Sequence, residues 1–268
     1  MCGRYASTQS TAALAAVYQA EDDLAEAPIV PSYNVAPTDP VHIVRRVRQQ
    51  RVVSTARWGL LPPWAAEARM GARMINARAE TVATSRAYRG PFARRRCLVP
   101  ADGWYEWLRL ADGGPKQPFY LTPHDGAGLA FAGLWEVWTP PARAGSGASG
   151  AAGSAAAGPV LTCTILTTAA IGELRQVHDR MPLVLSSGRW SSWLGEEQPD
   201  IPGGAADVVS QQADLLASEG EGWAAGIELR PVGREVGDVR NDSPSLIQSV
   251  IFPPRAVDDE VPIDLTLF

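Results

Sequence analysis

Apolar and polar positions divide this chain into an early helical stretch and a series of strand-like runs. Over residues 10–26, alanines and leucines share one face and acids gather toward the end, which predicts a helix. A proline-rich turn follows at 28–40. VHIVRRV (41–47) and RVVSTARWGL (51–60) alternate or run apolar around Arg-Gln-Gln at 48–50, the pattern of a hairpin. Farther on, RRRCLVPADGWYEWLRL, QPFYLTP, GLAFAGLWEVW and VLTCTILTT are short, aromatic or β-branched, and separated by Gly, Pro and Asp. These runs predict an antiparallel sheet rather than repeating βαβ units, so the expected fold class is α+β.

Residues 140–159, rich in Gly, Ser and Ala, have little to bury and read as a flexible loop. Strand-like segments of similar character flank them, so the loop is expected to be an insertion within one domain spanning 1–252. Residues 253–268 read as a C-terminal extension. A chain of 268 residues with 46% apolar content can bury an ordinary core. No apolar run is long enough to span a bilayer, and the start lacks the features of a secretory signal, so a cytoplasmic location is expected. The cysteines at 2, 97 and 163 show no C-x-x-C spacing and no histidine cluster. Reduced thiols, no metal and no cofactor are expected.

The formal net charge of −5 hides an uneven distribution. Between His42 and Arg96 stand thirteen arginines against Glu67 and Glu80, a local balance of +11. A solvated surface explains any one of them, but the cluster as a whole leans toward a phosphate-binding face.

Four segments carry candidate chemistry. Cys2 directly follows Met1. With Met1 removed, it would hold an α-amine and a thiol on adjacent carbons, a pair that condenses with an aldehyde to a thiazolidine. In MINARAET (74–81), an extended chain would turn Asn76, Arg78 and Glu80 to one side and Ala77, Ala79 and Thr81 to the other. In ADGWYEW (101–107), alternation sets Glu106 on the side of Trp104, where a partly dry cleft would raise its pKa. His178 ends a helix-like run before Asp179, Arg180 and a helix-stopping Pro182. His42, in a strand pattern, and His124, in a turn, read as structural.

In combination and in this order, the motifs resemble the SRAP family, named for SOS response-associated peptidase. The matching pieces are MCGRY at the start, YNVAPT (33–38), WGLLPPW (58–64), INARAET (75–81), ADGWYEW (101–107), KQPFY (116–120) and HDRMP (178–182). A weaker match continues through 232–247. The resemblance implies one domain built on a largely antiparallel, barrel-like sheet with flanking helices. It also implies a sensor of abasic sites in single-stranded DNA, in which Cys2 forms a covalent thiazolidine link with the open-ring sugar. Asn76, Glu106 and His178 match the remaining active-site positions. Arg4, Arg78, Arg86 and Arg180 match positions that contact DNA phosphates or shape the site, and Trp64 matches a wedge near the lesion. A monomer is expected, since one strand and one lesion need one groove.

Two other readings stay open. Cys2, His178 and Asn76 are also the residue types of a cysteine peptidase. A non-covalent single-strand-binding module would need none of that chemistry. Replacing Cys2 by serine separates plain binding, which survives, from covalent capture, which does not.

Overall fold

The structure, a computed structural model, describes residues 2–22, 29–110, 113–141, 158–196 and 223–251. The short β1 (Tyr5–Ser7) leads into α1 (Thr11–Tyr18), whose N-cap Ser10 accepts from the Ala13 N–H. After β2 (Glu21–Asp22) and β3 (Ser32–Val35), the expected hairpin forms from β4 (Pro40–Val47) and β5 (Gln50–Trp58). Next come β6 (Asn76–Arg78), α2 (Arg89–Arg94), β7 (Arg96–Ala101) and β8 (Gly103–Leu108). The later apolar runs become β9 (Gln117–Pro123), β10 (Leu129–Trp138) and β11 (Val160–Ala169). The described chain ends with β12 (Arg180–Pro182), α3 (Trp190–Leu194), β13 (Ile227–Pro231) and 3₁₀ turns.

Two sheets result. The smaller runs β13-β9-β8-β1-β3, so the N-terminal strand lies inside it. The larger runs β12-β11-β10-β7-β4-β5-β2. Within it β11 also pairs in parallel with β5, Thr162 opposite Arg57 and Cys163 opposite Trp58. That pairing closes β5, β4, β7, β10 and β11 into a five-stranded barrel, and the fold is α+β as expected. At the closure Gly59 adopts φ 126°, and a Cβ there would lie 2.5 Å from the Gly71 carbonyl oxygen.

Both faces of the barrel strands are covered. Ile43, Trp58, Val99, Phe131 and Ile165 pack inward with Cys2, Tyr5, Trp104 and Leu121 of the smaller sheet. Their neighbours Val44, Val53, Leu98 and Leu166 face outward onto Leu14 and Tyr18 of α1, Phe92 of α2 and Trp193 of α3. Burial on both faces is why these strands read as continuous apolar runs.

Three local expectations are corrected. The helix over 10–26 stops at Tyr18, where Gln19 turns left-handed at φ 50°. The acids that follow would oppose the helix dipole, and Glu21–Asp22 instead pair with Val52 and Val53 of β5. The proline-rich turn at 28–40 contains β3, because Tyr33 and Val35 alternate between the flanking prolines and the segment pairs with β1, Val35 opposite Tyr5 and Ser32 opposite Ser7. Pro182 does not stop a helix: the run before His178 is a 3₁₀ turn, Gly172–Gln176, and Pro182 ends β12 opposite Thr167. Most of the expected insertion and all of the expected extension lie outside the described residues. Among those described, no helix is long and apolar enough to cross a membrane.

Candidate functional site

Cys2 lies three residues ahead of Tyr5, the first residue of β1, which threads between β3 and β8. Tyr5 pairs with Trp104, and the Tyr105 N–H donates to the Arg4 carbonyl at 2.9 Å. Continuing that antiparallel register brings Glu106 level with Gly3, beside Cys2. From the barrel side, Asn76 Nδ2 donates to the Cys2 carbonyl oxygen at 2.6 Å. Cys2 therefore meets two residues more than seventy positions away in sequence, Asn76 and Glu106. Local pattern explains two of them: Ala77 is buried between a half-buried Asn76 and an exposed Arg78, and Glu106 shares the face of the buried Trp104. The Asn76 Oδ1 atom is buried and has no hydrogen-bond partner among the described residues.

Burial sets the electrostatics. Glu106 is 3% exposed, and loss of hydration pushes its pKa up to about 7, with Asp179 adding to the rise while the amino terminus and Lys116 oppose it. The Cys2 thiol is pushed well up by burial first and by the Glu106 charge second. His178 is lowered by burial and by the amino terminus, with Asp179 pulling the other way. Glu106 and His178 thus sit in one shared field. Its contributors, Asp179 and Lys116, were not singled out from the sequence. Lys116 is the only lysine of the chain, and that rarity in an arginine-rich composition was the available signal.

Asn76 and His178 are carried by opposite sides of one strand. β6 pairs in parallel with β11, Asn76 opposite Ile165, and β12 pairs antiparallel with it, Arg180 opposite Ala169. An ion pair ties the two together: Arg180 Nη1 and Nη2 donate to Glu80 Oε1 and Oε2 at 2.5 and 2.9 Å. Arg180 Nη2 also reaches the Thr167 carbonyl at 2.6 Å.

Arg4 Nη1 donates to Asn34 Oδ1 at 2.7 Å and to the Val236 carbonyl at 2.8 Å, and its guanidinium lies 5.9 Å from the Trp107 ring centre. Arg86 stacks 5.1 Å over Trp64, which is 49% exposed. Arg78 is exposed at the end of β6.

The thirteen arginines divide. Arg48, Arg69, Arg73, Arg78, Arg86, Arg89 and Arg94 are exposed. Arg45, Arg46, Arg51, Arg95 and Arg96 are half-buried and bound internally, to Ser54, Gly195, Glu196, Glu136 and Trp193 respectively, and Arg57 is half-buried as well. Among the described residues, no group of three or more His, Cys, Asp or Glu is arranged to hold a metal ion.

A family profile described as SOS response associated peptidase (SRAP) matches residues 1–239. The chain belongs to the SRAP family. Relatives of this SRAP chain include the abasic site processing protein YoqW of Bacillus subtilis, 33% identical over 93% of this chain and 100% of that protein. The abasic site processing protein YedK of Escherichia coli is 32% identical over 93% and 100%. The abasic site processing protein HMCES of Gallus gallus is 30% identical over 92% of this chain and 77% of its own. Among solved structures, a Bacteroides thetaiotaomicron protein shares the SRAP chain's fold with a TM-score of 0.70 at 21% identity, over 93% and 100%.

Proposed function

We propose that this SRAP protein processes abasic sites by capturing their aldehyde in single-stranded DNA through Cys2, after removal of Met1. The observation that carries the reading is the meeting of Asn76 and Glu106 at Cys2, with the Asn76 amide on the Cys2 carbonyl and a carboxyl beside it that titrates near neutrality.

The Cys2 amine adds to the aldehyde carbon, and the resulting carbinolamine loses water to give an imine. The Cys2 sulfur then adds to the imine carbon, and its proton ends on nitrogen, closing the thiazolidine ring. Glu106, about half protonated near pH 7, is suited to give the proton that water departs with and to take the thiol proton afterwards. His178 serves the ring-opened sugar oxygen. Asn76 orients Cys2 through its carbonyl and moves no proton. Sequence-independent binding suits exposed Arg78 and the Arg86–Trp64 stack, with Arg4 and Arg180 shaping the floor.

The test is intact-protein mass spectrometry after incubation with an oligonucleotide carrying one abasic site, against an undamaged control. The expected product is protein plus oligonucleotide minus one water, stable to denaturation and absent in Cys2→Ala. A demethionylated protein that forms no adduct overturns the reading, and peptide turnover or reversible DNA binding would replace it.

A further inference from the structure

Two contacts at a single nitrogen of His178 require opposite protonation states. The main-chain N–H of Arg180 donates to Nδ1 at 2.9 Å, which needs a lone pair there. Asp179 Oδ1 lies 2.7 Å from the same Nδ1, which needs a proton there. One atom satisfies these partners only in turn. We infer that Asp179 is a positioning residue for the reaction proposed above, accepting the Nδ1 proton of His178 in one state while the Arg180 N–H occupies Nδ1 in the other.

The geometry assigns each state. With Arg180 N–H on Nδ1, the neutral ring carries its proton on Nε2. When that proton passes to the sugar oxygen, a proton from water enters at Nδ1 and is held by the Asp179 carboxylate, and the hydroxide formed takes up the proton that the opening hemiacetal hydroxyl releases. The ring stays neutral through the exchange, and loss of the Nδ1 proton to water with reprotonation at Nε2 restores the start. Asp179 is suited to this exchange because its side chain is 85% exposed, whereas His178 is 29% exposed.

The neighbouring charges favour the same division of labour. Glu106 on β8, Lys116 ahead of β9 and the amino terminus face this region. The Arg180 guanidinium is turned away onto Glu80 and Thr167, so only its main-chain N–H serves the ring. Asp179 opposes the amino terminus and Lys116, whose charges disfavour adding a proton to the ring.

The experiment is nitrogen NMR of the full-length protein labelled at histidine, without DNA. The chain has three histidines, and His178→Gln assigns the signal. Above neutral pH, His178 is expected as the Nε2–H tautomer. Asp179→Asn should lower its titration midpoint by about 0.2 to 0.7 of a pH unit, and Asp179→Glu should recover most of the shift. A neutral Nδ1–H tautomer, or an unchanged midpoint in Asp179→Asn, overturns the inference. Because no DNA is present, failure to form an adduct would sink the proposed reaction separately, leaving the Asp179–His178 coupling measured on its own.

Discussion

Burying a carboxylate strips water from its charge, and Glu106 holds its proton up to about pH 7 in consequence. In the unfolded chain it ionises near 4.5, so its contribution to stability is complete below that value and is lost as pH rises through 7. Glu106→Gln is therefore expected to stabilise the protein by about 2–3 kcal/mol at pH 8 and by almost nothing at pH 4, read from urea unfolding at both pH values. The same substitution should remove an inflection near pH 7 from the rate of adduct formation. Asn76→Ala leaves the Cys2 carbonyl without its donor, an effect of about 1–3 kcal/mol. Capture should slow by tenfold or more while affinity for undamaged single strands stays level, as fluorescence anisotropy would show. At this scale the sequence was informative wherever chemistry follows from a neighbour two positions away, as for Glu106 beside Trp104. It was silent on Asp179, whose role depends on which ring nitrogen the next residue's N–H occupies.

Elements bring these side chains together by hanging on shared strands. β6 and β12 flank β11, and the Glu80–Arg180 pair bridges them. Glu80 is half exposed, so solvent screens the pair to about 0.5 kcal/mol. Arg180 holds the Glu80 carboxyl below its usual range, and that contribution, present above about pH 4.5, is lost on acidification. Glu80→Ala should shift the urea midpoint only slightly at pH 7, yet slow capture several-fold, because Asn76 and His178 lose their common brace. An equal loss in both measurements would mean that the pair serves stability alone. Strands buried on both faces were legible as apolar runs. β3 and the early end of α1 were not, since four residues between prolines and a left-handed Gln19 leave little periodic signal.

For the whole molecule, barrel closure depends on β5 meeting β11 across about a hundred residues of sequence, a contact no local pattern announces. Gly59 and Gly71 make it possible by their close approach. Gly59→Ala is expected to cost about 3 kcal/mol or more, through both the left-handed backbone and the clash, and to appear as a much lower urea midpoint. The arginine cluster was legible as charge, but folding draws six of its members partly inward, five of them onto internal partners, so the surface is less basic than the count implied. Arg78→Ala should reduce the salt dependence of single-strand binding by about 0.7 in log–log slope, one phosphate's worth. The interior position of β1 also sets a schedule for biosynthesis. Its second partner, β8, begins at Gly103, so roughly a hundred residues must be translated before Cys2 can be enclosed. At about 5–20 residues per second, that leaves on the order of 5–20 s. On the proposed mechanism, whatever precedes Cys2 has to be trimmed in that interval, while the nascent end is still loose.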